Sequence, residues 1–438
     1  MTTARVELWG SSIGAVTWDR GRNLAFFEYD PAFLASGIEL SPIHLPLREG
    51  VFSFPGLGRE AFRGLPGMLA DSLPDRFGNA IIDAWLASRG RSLDSFDPVE
   101  RLCYVGSRGM GGLEFAPALG PQIEGSEEVD LASLVELASA VLTDRARFIA
   151  HLAPSRMTQA VHDILRVSTS AGGARAKAVI AWNPDTGEVR SGQVDAGQGF
   201  SYWLLKFDGV QGNRDRELDD PLGFGLVEFA YSMMARAAGI EMSECRILEE
   251  NGRHHFMTKR FDRRADGDKV HMQSLAALGH MDLNLAGAHS YEQAAQVMRA
   301  LDLPASDAEQ AYRRMAFNVI ARNQDDHVKN IAFLMDRSGR WSLSPAFDVT
   351  YAFNPEGRWT SRHQMSVNGK RDGFELADLV TFGDSLSLKR GRAKEIAGEV
   401  HETVLEWPRF AEEAHVPEPM VDTIRRAHRL DLVESGGS

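Results

Sequence analysis

At 438 residues the chain has room for two or three domains with substantial cores. Its 43% hydrophobic and 25% charged content is that of an ordinary globular protein, and no apolar run approaches the roughly 18 residues that a membrane span needs. A formal net charge of −13 argues against broad autonomous nucleic-acid binding, which draws on clustered cations, but leaves room for a local basic patch or a basic partner. Two cysteines far apart in sequence, Cys103 and Cys245, and a start without a charged-then-apolar signal pattern lead to the expectation of a cytoplasmic protein with free thiols.

The first stretch reads as strands over 6–8, 14–18 and 23–29, with Asp19-Arg20-Gly21-Arg22 as a hairpin turn. A short helix after Asp30-Pro31, an extended 44–47, and helices over 62–69 and 75–88, the second closed by Gly90, complete a small α/β module over about 1–120. Gly106-Ser107-Arg108-Gly109-Met110-Gly111-Gly112 is the most glycine-dense stretch. It ends in a short strand running into Pro117, where a phosphate loop should feed a helix or fold between two strands, so it is expected to join a helix to a strand. Asp130 caps a helix reaching about residue 151, with Leu131, Leu134, Leu137 and Val141 as its apolar stripe, and another element runs over 155–165.

A second glycine loop, Ser168-Thr169-Ser170-Ala171-Gly172-Gly173-Ala174-Arg175-Ala176-Lys177, leads into a strand over 178–182 that turns at 183–187 and returns. Such a loop suits the roof of a nucleotide site; a plain glycine-rich turn is the other reading. Lys206 ends an otherwise apolar strand, where a lysine is either an edge gatekeeper or a phosphate-holding group. The helix over 222–238 carries Glu228 in its middle, either a solvated acid or the partner of Lys206. Asn251-Gly252 marks a hairpin between strands over 245–249 and 255–261, and 260–264 connects the strand-rich part to a helical remainder with helices over 291–302, 306–322, 390–405 and 418–430. The chain over 348–385 reads as irregular and polar, as substrate-facing loops tend to be.

The chemistry concentrates at Asp325-Asp326-His327-Val328-Lys329-Asn330, which sits between the 306–322 helix and a hairpin over 331–335 and 341–343 that delivers Asp348. Phosphoryl transfer needs a carboxylate to position and deprotonate an attacking hydroxyl, and hard oxygen ligands for magnesium on the nucleotide phosphates. Protein kinases meet this with Asp-x-x-x-x-Asn and a second Asp beyond a short hairpin, the spacing of Asp325, Asn330 and Asp348. An acidic surface turn and a strand-end Asn are the structural alternative.

These pieces together resemble the HipA family of serine/threonine kinases, toxins of bacterial toxin–antitoxin pairs. The resemblance is nearly full-length. It rests on the N-terminal module, the Ser170 to Lys177 loop, Arg260-Phe261-Asp262-Arg263, the 325–330 loop, Asp348, and His363 through Met365-Ser366-Val367-Asn368-Gly369-Lys370. It implies an α/β (α+β), two-lobed protein-kinase-like fold with a strand-rich N-terminal module over 1–125, a kinase N-lobe over 126–265 and an all-helical C-terminal lobe over 266–438. It implies ATP and Mg²⁺ as cofactors, Asp325 as catalytic base, and Asn330 and Asp348 as metal ligands. Lys206, paired with Glu228, would hold the ATP phosphates, which Ala171, Gly172, Gly173, Ala174, Arg175 and Lys177 would cover. Lys259 and Phe261 at the adenine hinge, and His327 and Lys329 in the catalytic loop, are further cofactor-binding candidates.

The resemblance further implies autophosphorylation at Ser170, with Ser168 as a second candidate, and a protein substrate in translation such as an aminoacyl-tRNA synthetase. It implies a small DNA-binding HipB-like antitoxin, through which alone operator DNA would be reached, and no membrane. The chain departs from the family at Asp326, where many relatives have glycine and where an extra carboxylate could bind metal or raise the pKa of Asp325. It departs again at Lys259, where an acid is common. A small-molecule kinase and a non-catalytic nucleotide-binding repressor subunit are the competing functions.

Overall fold

The computed structural model describes residues 1–92, 95–120, 128–143, 164, 176–210, 223–264 and 266–434. Strands β1 (Thr2–Leu8), β2 (Ser11–Asp19), β3 (Leu24–Tyr29), β4 (Val51–Phe52) and β5 (Leu113–Ala116) form one antiparallel sheet in the order β4-β3-β2-β1-β5. Period-2 alternation buries Ala4, Val6 and Leu8 of β1 on one face. At the β2–β3 turn Asp19 Oδ1 accepts from the N–H groups of Gly21 and Arg22, at 2.8 and 3.2 Å, so the expected hairpin is built as an Asx turn. The helix expected over 62–69 is two short ones, Arg59–Phe62 and Gly67–Ala70, because Pro66 cannot donate to a continuous helix. Around 44–47 the chain makes one bridge, Ser41 to Leu45. The helix Pro98–Val105 leads through 106–112 into β5, so this glycine loop is the helix-to-strand connection the sequence predicts.

Strands β6 (Lys177–Trp182), β7 (Val189–Ser191), β8 (Ser201–Lys206), β9 (Cys245–Glu250) and β10 (Arg253–Lys259) form a second antiparallel sheet, ordered β7-β6-β8-β10-β9. Asn251 and Gly252 both take positive φ, 46° and 76°, as a tight hairpin turn requires. The helix Phe224–Ala237 packs on this sheet through β9 and β10. Of the two elements expected over 130–165, the helix Leu131–Thr143 and the single helical residue Ile164 are within the described residues.

The C-terminal lobe is mostly helical, with helices Tyr291–Ala300, Ala305–Ile320, Arg392–Leu405 and Glu418–Ala427 near their expected places. All-helical is too narrow a description. The hairpin of β13 (Ala332–Met335) and β14 (Trp341–Leu343) recruits β11 (His271–Ser274) into a three-stranded sheet, and β12 (His289–Ser290) pairs in parallel with β15 (Met365–Ser366). Part of the stretch expected to be irregular is the helix Leu376–Ser385, with Leu376, Leu379 and Phe382 buried and a capping box at Glu375 and Asp378. The helix Trp407–Glu413 also went unread, since Pro408 looks like a breaker but stands in the first turn, where proline is tolerated.

Two large cores result, and the N-terminal module contributes to both. Its sheet residues Val6, Val16 and Phe27 share one core with Phe317, Val400 and Trp407 of the C-terminal lobe. Its helix Arg76–Ser88 instead sends Phe77, Ile81 and Trp85 into the core beneath the second sheet, beside Ile180, Trp203 and Leu205. Two indoles pin the module to the C-terminal lobe: Trp9 Nε1 donates to the Lys269 carbonyl at 2.8 Å, and Trp341 Nε1 to the Glu39 carbonyl at 3.2 Å. Among the described residues no helix is long and apolar enough to cross a membrane.

Candidate functional site

The site begins with a buried lysine. β8 is the middle strand of its sheet, so Lys206 at its end is no edge gatekeeper. It pairs in register with Lys177 of β6 on one side and Phe256 of β10 on the other. Its ammonium lies 2.5 Å from Glu228 Oε1 and also donates to Asp348 Oδ1. Glu228 is 1% exposed in the middle of the packed helix, so it is a buried partner and not a solvated acid. Burial opposes ionisation of Asp348, but Lys206 and then Lys177 outweigh it and hold that carboxyl below the ordinary range. Asp348 takes φ +53°, a left-handed conformation that Asp tolerates better than most side chains, and this turn aims it back at the lysine.

The helix Ala305–Ile320 ends at Ala321, and Arg322 turns the chain with φ +59°. The following loop is stitched to the segment beyond Asp348 by the Gln324 N–H, which donates to the Ala352 carbonyl at 3.1 Å, and the Ala352 N–H, which donates to that of Arg322 at 3.1 Å. Asn330 Nδ2 donates to the Asp325 carbonyl at 2.8 Å and its N–H to that of His327 at 2.8 Å, closing the loop on itself. The Asp325 carboxylate, 40% exposed, lies 4.0 Å from His327 Nε2. Desolvation in the cleft pushes its pKa up, with Asp348 and Asp326 adding to the rise and His327 and Lys206 opposing it.

Beside these groups a cleft of about 870 Å³, part of it open to solvent, lies between the second sheet and the C-terminal lobe. Leu204, Thr258, Phe261, Met272 and Phe347 line its apolar end, and Lys329, Asn330 and Asp348 its polar end. The rings of Phe261 and Phe347 sit 5.6 Å apart. This is the size and mixed lining of a small-molecule pocket. Lys259 lies at the rim, its ammonium turned outward to Glu244 Oε2 at 3.3 Å. Thus Lys177, Lys206, Glu228, Asp325, His327, Lys329, Asn330 and Asp348 come together, whereas the Lys259 ammonium is paired with Glu244 at the rim. Ser168, Ser170, Ala171, Gly172, Gly173, Ala174 and Arg175 lie outside the described residues.

Three motifs of the resemblance turn out to be scaffolding. Asp326 points away from the cleft, accepting from Tyr291 Oη, His363 Nδ1 and the Gln364 N–H, each at 2.8 Å. With the proton on Nδ1, His363 Nε2 is free to accept from Arg429 Nη1 at 2.9 Å. Asp326 is therefore a buried anchor for the loop and not a candidate metal ligand. Asp262, wholly buried, pairs with Arg260 at 2.7 Å and Arg263 at 2.9 Å and accepts from the Gly111 N–H at 2.7 Å. Arg263 donates onward to the carbonyls of Gly111 and Gly109. The first glycine loop is thereby clamped to the segment linking the two lobes. Asn368 and Lys370 both reach Asp378, at 2.8 Å, and hold the helix Leu376–Ser385 in place.

Sequence reasoning missed Leu204, Thr258, Met272 and Phe347 on the cleft wall and, from the N-terminal module, Asp71, Leu73, Asp75 and Met110, which line the same cleft. Asp75 is legible in sequence only as a helix cap, and nothing local says that the cap faces a lysine about a hundred residues on.

The donor set suits a magnesium nucleotide. Among the described residues no three His, Cys, Asp or Glu side chains gather into a metal cage. Magnesium asks instead for one or two protein oxygens and completes its shell with phosphates and water, and Asp348 with Asn330 offers that.

Sequence comparison matches the HipA N-terminal domain to residues 4–116 and the HipA-like C-terminal domain to residues 169–407. Among curated proteins none matches the chain. Among solved structures, the HipA–HipB–operator DNA complex of Shewanella oneidensis MR-1 aligns with 16% identity over 98% of this chain and 96% of that one, with a TM-score of 0.66. CtkA, a proinflammatory kinase of Helicobacter pylori, aligns with 14% identity over 54% of this chain and 90% of that one, at a TM-score of 0.35 that bears no weight on the fold. Since the C-terminal domain match alone spans more than half of the sequence, and the N-terminal domain match falls on the sheet that docks beside it, the chain belongs to the HipA family.

Proposed function

We propose that the protein is an ATP-dependent serine/threonine protein kinase acting as the toxin of a toxin–antitoxin pair. The observation that carries this reading is the buried Lys206–Glu228 pair, which meets Asp348, a residue that lines the cleft with Asn330 and whose charge is felt by Asp325. A buried lysine held by two carboxylates on separate elements is costly to build, and a phosphate site accounts for it. ATP bound with Mg²⁺ supplies the transferable phosphoryl group and the charge neutralisation it needs, with Asn330 and Asp348 as protein ligands. Lys206 would hold the phosphates, Phe261 and Phe347 would offer the apolar end of the cleft to the base, and the Asp325 carboxylate would orient the attacking hydroxyl and accept its proton. The upward shift of Asp325 suits that role, because a stronger base takes the proton more readily.

Ser170, with Ser168 as second candidate, is the self-modification site in this reading. Phosphorylation adds about −1.5 to −2 charge, which a cleft already holding a triphosphate expels. The substrate is a protein hydroxyl, with a translation-related target such as an aminoacyl-tRNA synthetase as the expectation. The Shewanella structure is a complex with HipB and operator DNA. That assembly supports a small DNA-binding antitoxin as partner here, with DNA contacted through the complex, as befits a chain of net charge −13 in the cytoplasm.

Incubation with γ-labelled ATP tests the reading. Label is expected on the protein itself, and Asp325→Asn should lower transfer by about 10²–10⁴-fold, the usual weight of a general base. Label passing solely to metabolites, or cellular effects unchanged in Asp325→Asn, would overturn it.

A further inference from the structure

We propose that Asp75 of the N-terminal module is a positioning residue for Lys177, as Glu228 is for Lys206, so that the nucleotide site is assembled from both parts of the chain. The inference rests on the kinase reading above.

Asp75 caps the helix Arg76–Ser88 through Oδ1, which accepts from the Gly78 N–H at 2.7 Å. One oxygen is all a cap needs, and Asn or Ser supplies it equally well. The other oxygen, Oδ2, is buried without a hydrogen-bond partner among the described residues and lies 3.9 Å from Lys177 Nζ. Both side chains are under 5% exposed. Burying a whole carboxylate where an amide or hydroxyl would cap the helix is unfavourable unless its charge has a use.

The lysine explains that use. Lys177 and Lys206 stand directly across from each other on neighbouring strands, an arrangement that like charges disfavour. Each ammonium therefore needs a carboxylate of its own. Lys206 has Glu228 and Asp348; Lys177 faces Asp75, with Asp348 and Glu228 adding weaker attraction. The second cation near Asp75 is Lys329 of the catalytic loop. Leu73, Asp75, Met110, Lys329 and Asp348 line one cleft. Close by, Asp71 accepts from the Ser274 N–H at 2.7 Å and from its hydroxyl at 2.8 Å, fixing the module against the C-terminal lobe. Burial pushes the Asp75 carboxyl up to about 6, with Lys177 and the Gly78 N–H opposing, so it remains largely ionised at neutral pH.

The test compares wild type, Asp75→Asn, Lys177→Met and the double variant. Binding of a non-hydrolysable ATP analogue with Mg²⁺ is measured by calorimetry, and the thermal midpoint without nucleotide is measured alongside. Asn keeps the cap and removes the charge, so the midpoint should hold while affinity for the analogue falls about tenfold. In the Lys177→Met background the same change should cost no further affinity. Wild-type affinity in Asp75→Asn would overturn the proposal, as would an equal loss with and without Lys177. Failure of the wild type itself to bind the analogue would sink the kinase reading, and the proposal with it.

Discussion

Lys206, Glu228 and Asp348 form a charge triad in which each member makes sense only through the others. Burying an ammonium is unfavourable, and the carboxylates on either side offset that cost. Replacing Glu228 by Gln removes one charge and leaves the shape. The expected result is a ten- to hundredfold drop in kcat/KM for ATP, about the worth of one buried charge-assisted hydrogen bond. Steady-state kinetics check this, and a variant indistinguishable from wild type would leave Glu228 a packing residue. Asp326 illustrates the opposite case. Adjacent in sequence to the proposed base, it faces the other way and spends its oxygens on Tyr291, His363 and Gln364.

Between elements, the clamp of Asp262 on the glycine loop is a buried polar link between the N-terminal module and the chain joining the lobes. Gly111 is required there twice over. Its φ of +71° is strained for other residues, and an added Cβ would sit 3.1 Å from the Met272 backbone nitrogen. Burial works against ionisation of Asp262, but Arg260 and Arg263 outweigh it and hold its pKa below the usual carboxylate range. Its stabilising contribution is therefore complete above the unfolded-state value near 3.9 and lost as pH falls through the lower folded-state value. Asp262→Asn strands two buried guanidinium groups and should cost about 3–5 kcal/mol in urea unfolding at neutral pH. It should also erase that acid-side loss, and an unchanged pH profile would show that the clamp carries no charge dependence.

Across the whole molecule, the module docks on the C-terminal lobe through an uncharged histidine. His280 Nε2 accepts from the Gly67 N–H at 3.0 Å, and its ring stacks on that of His44 at 3.9 Å. Burial, with His44 beside it, lowers its pKa to about 3. The unfolded chain takes up a proton near 6.5 and the folded chain does not, so stability is full above pH 6.5 and declines as pH falls from there toward 3. The loss is about 1.4 kcal/mol for each pH unit in that window. Buried His271 and His428, also near 3, add to it. Unfolding midpoints should therefore fall between pH 7.5 and 5.5. His280→Asn, which tolerates the φ of +50° at this helix end, should flatten part of that slope. A slope equal to that of wild type would remove His280 from the account.

Local signals sufficed wherever a feature depends on neighbours in the chain. The Asn251-Gly252 hairpin, the cap at Asp130 and the helix-to-strand role of 106–112 were all legible, because turn chemistry, capping and short loops act over a few residues. The helix Leu376–Ser385 was not. Its Gly383 looks like a breaker, yet it stands where a Cβ would lie 2.5 Å from that of Ala393, a contact between helices that no local pattern carries. Spacing singled out Asp325 as the candidate base, but the role of the adjacent Asp326 was not legible, since the direction in which it points depends on Tyr291 and His363. What the sequence by itself determined is the set of chemical groups and their order along the chain. Only the tertiary structure decided which of them share a low-dielectric cleft and which brace it, because charge pairing and burial act across contacts that bring together residues far apart in sequence, such as Asp75 and Lys177.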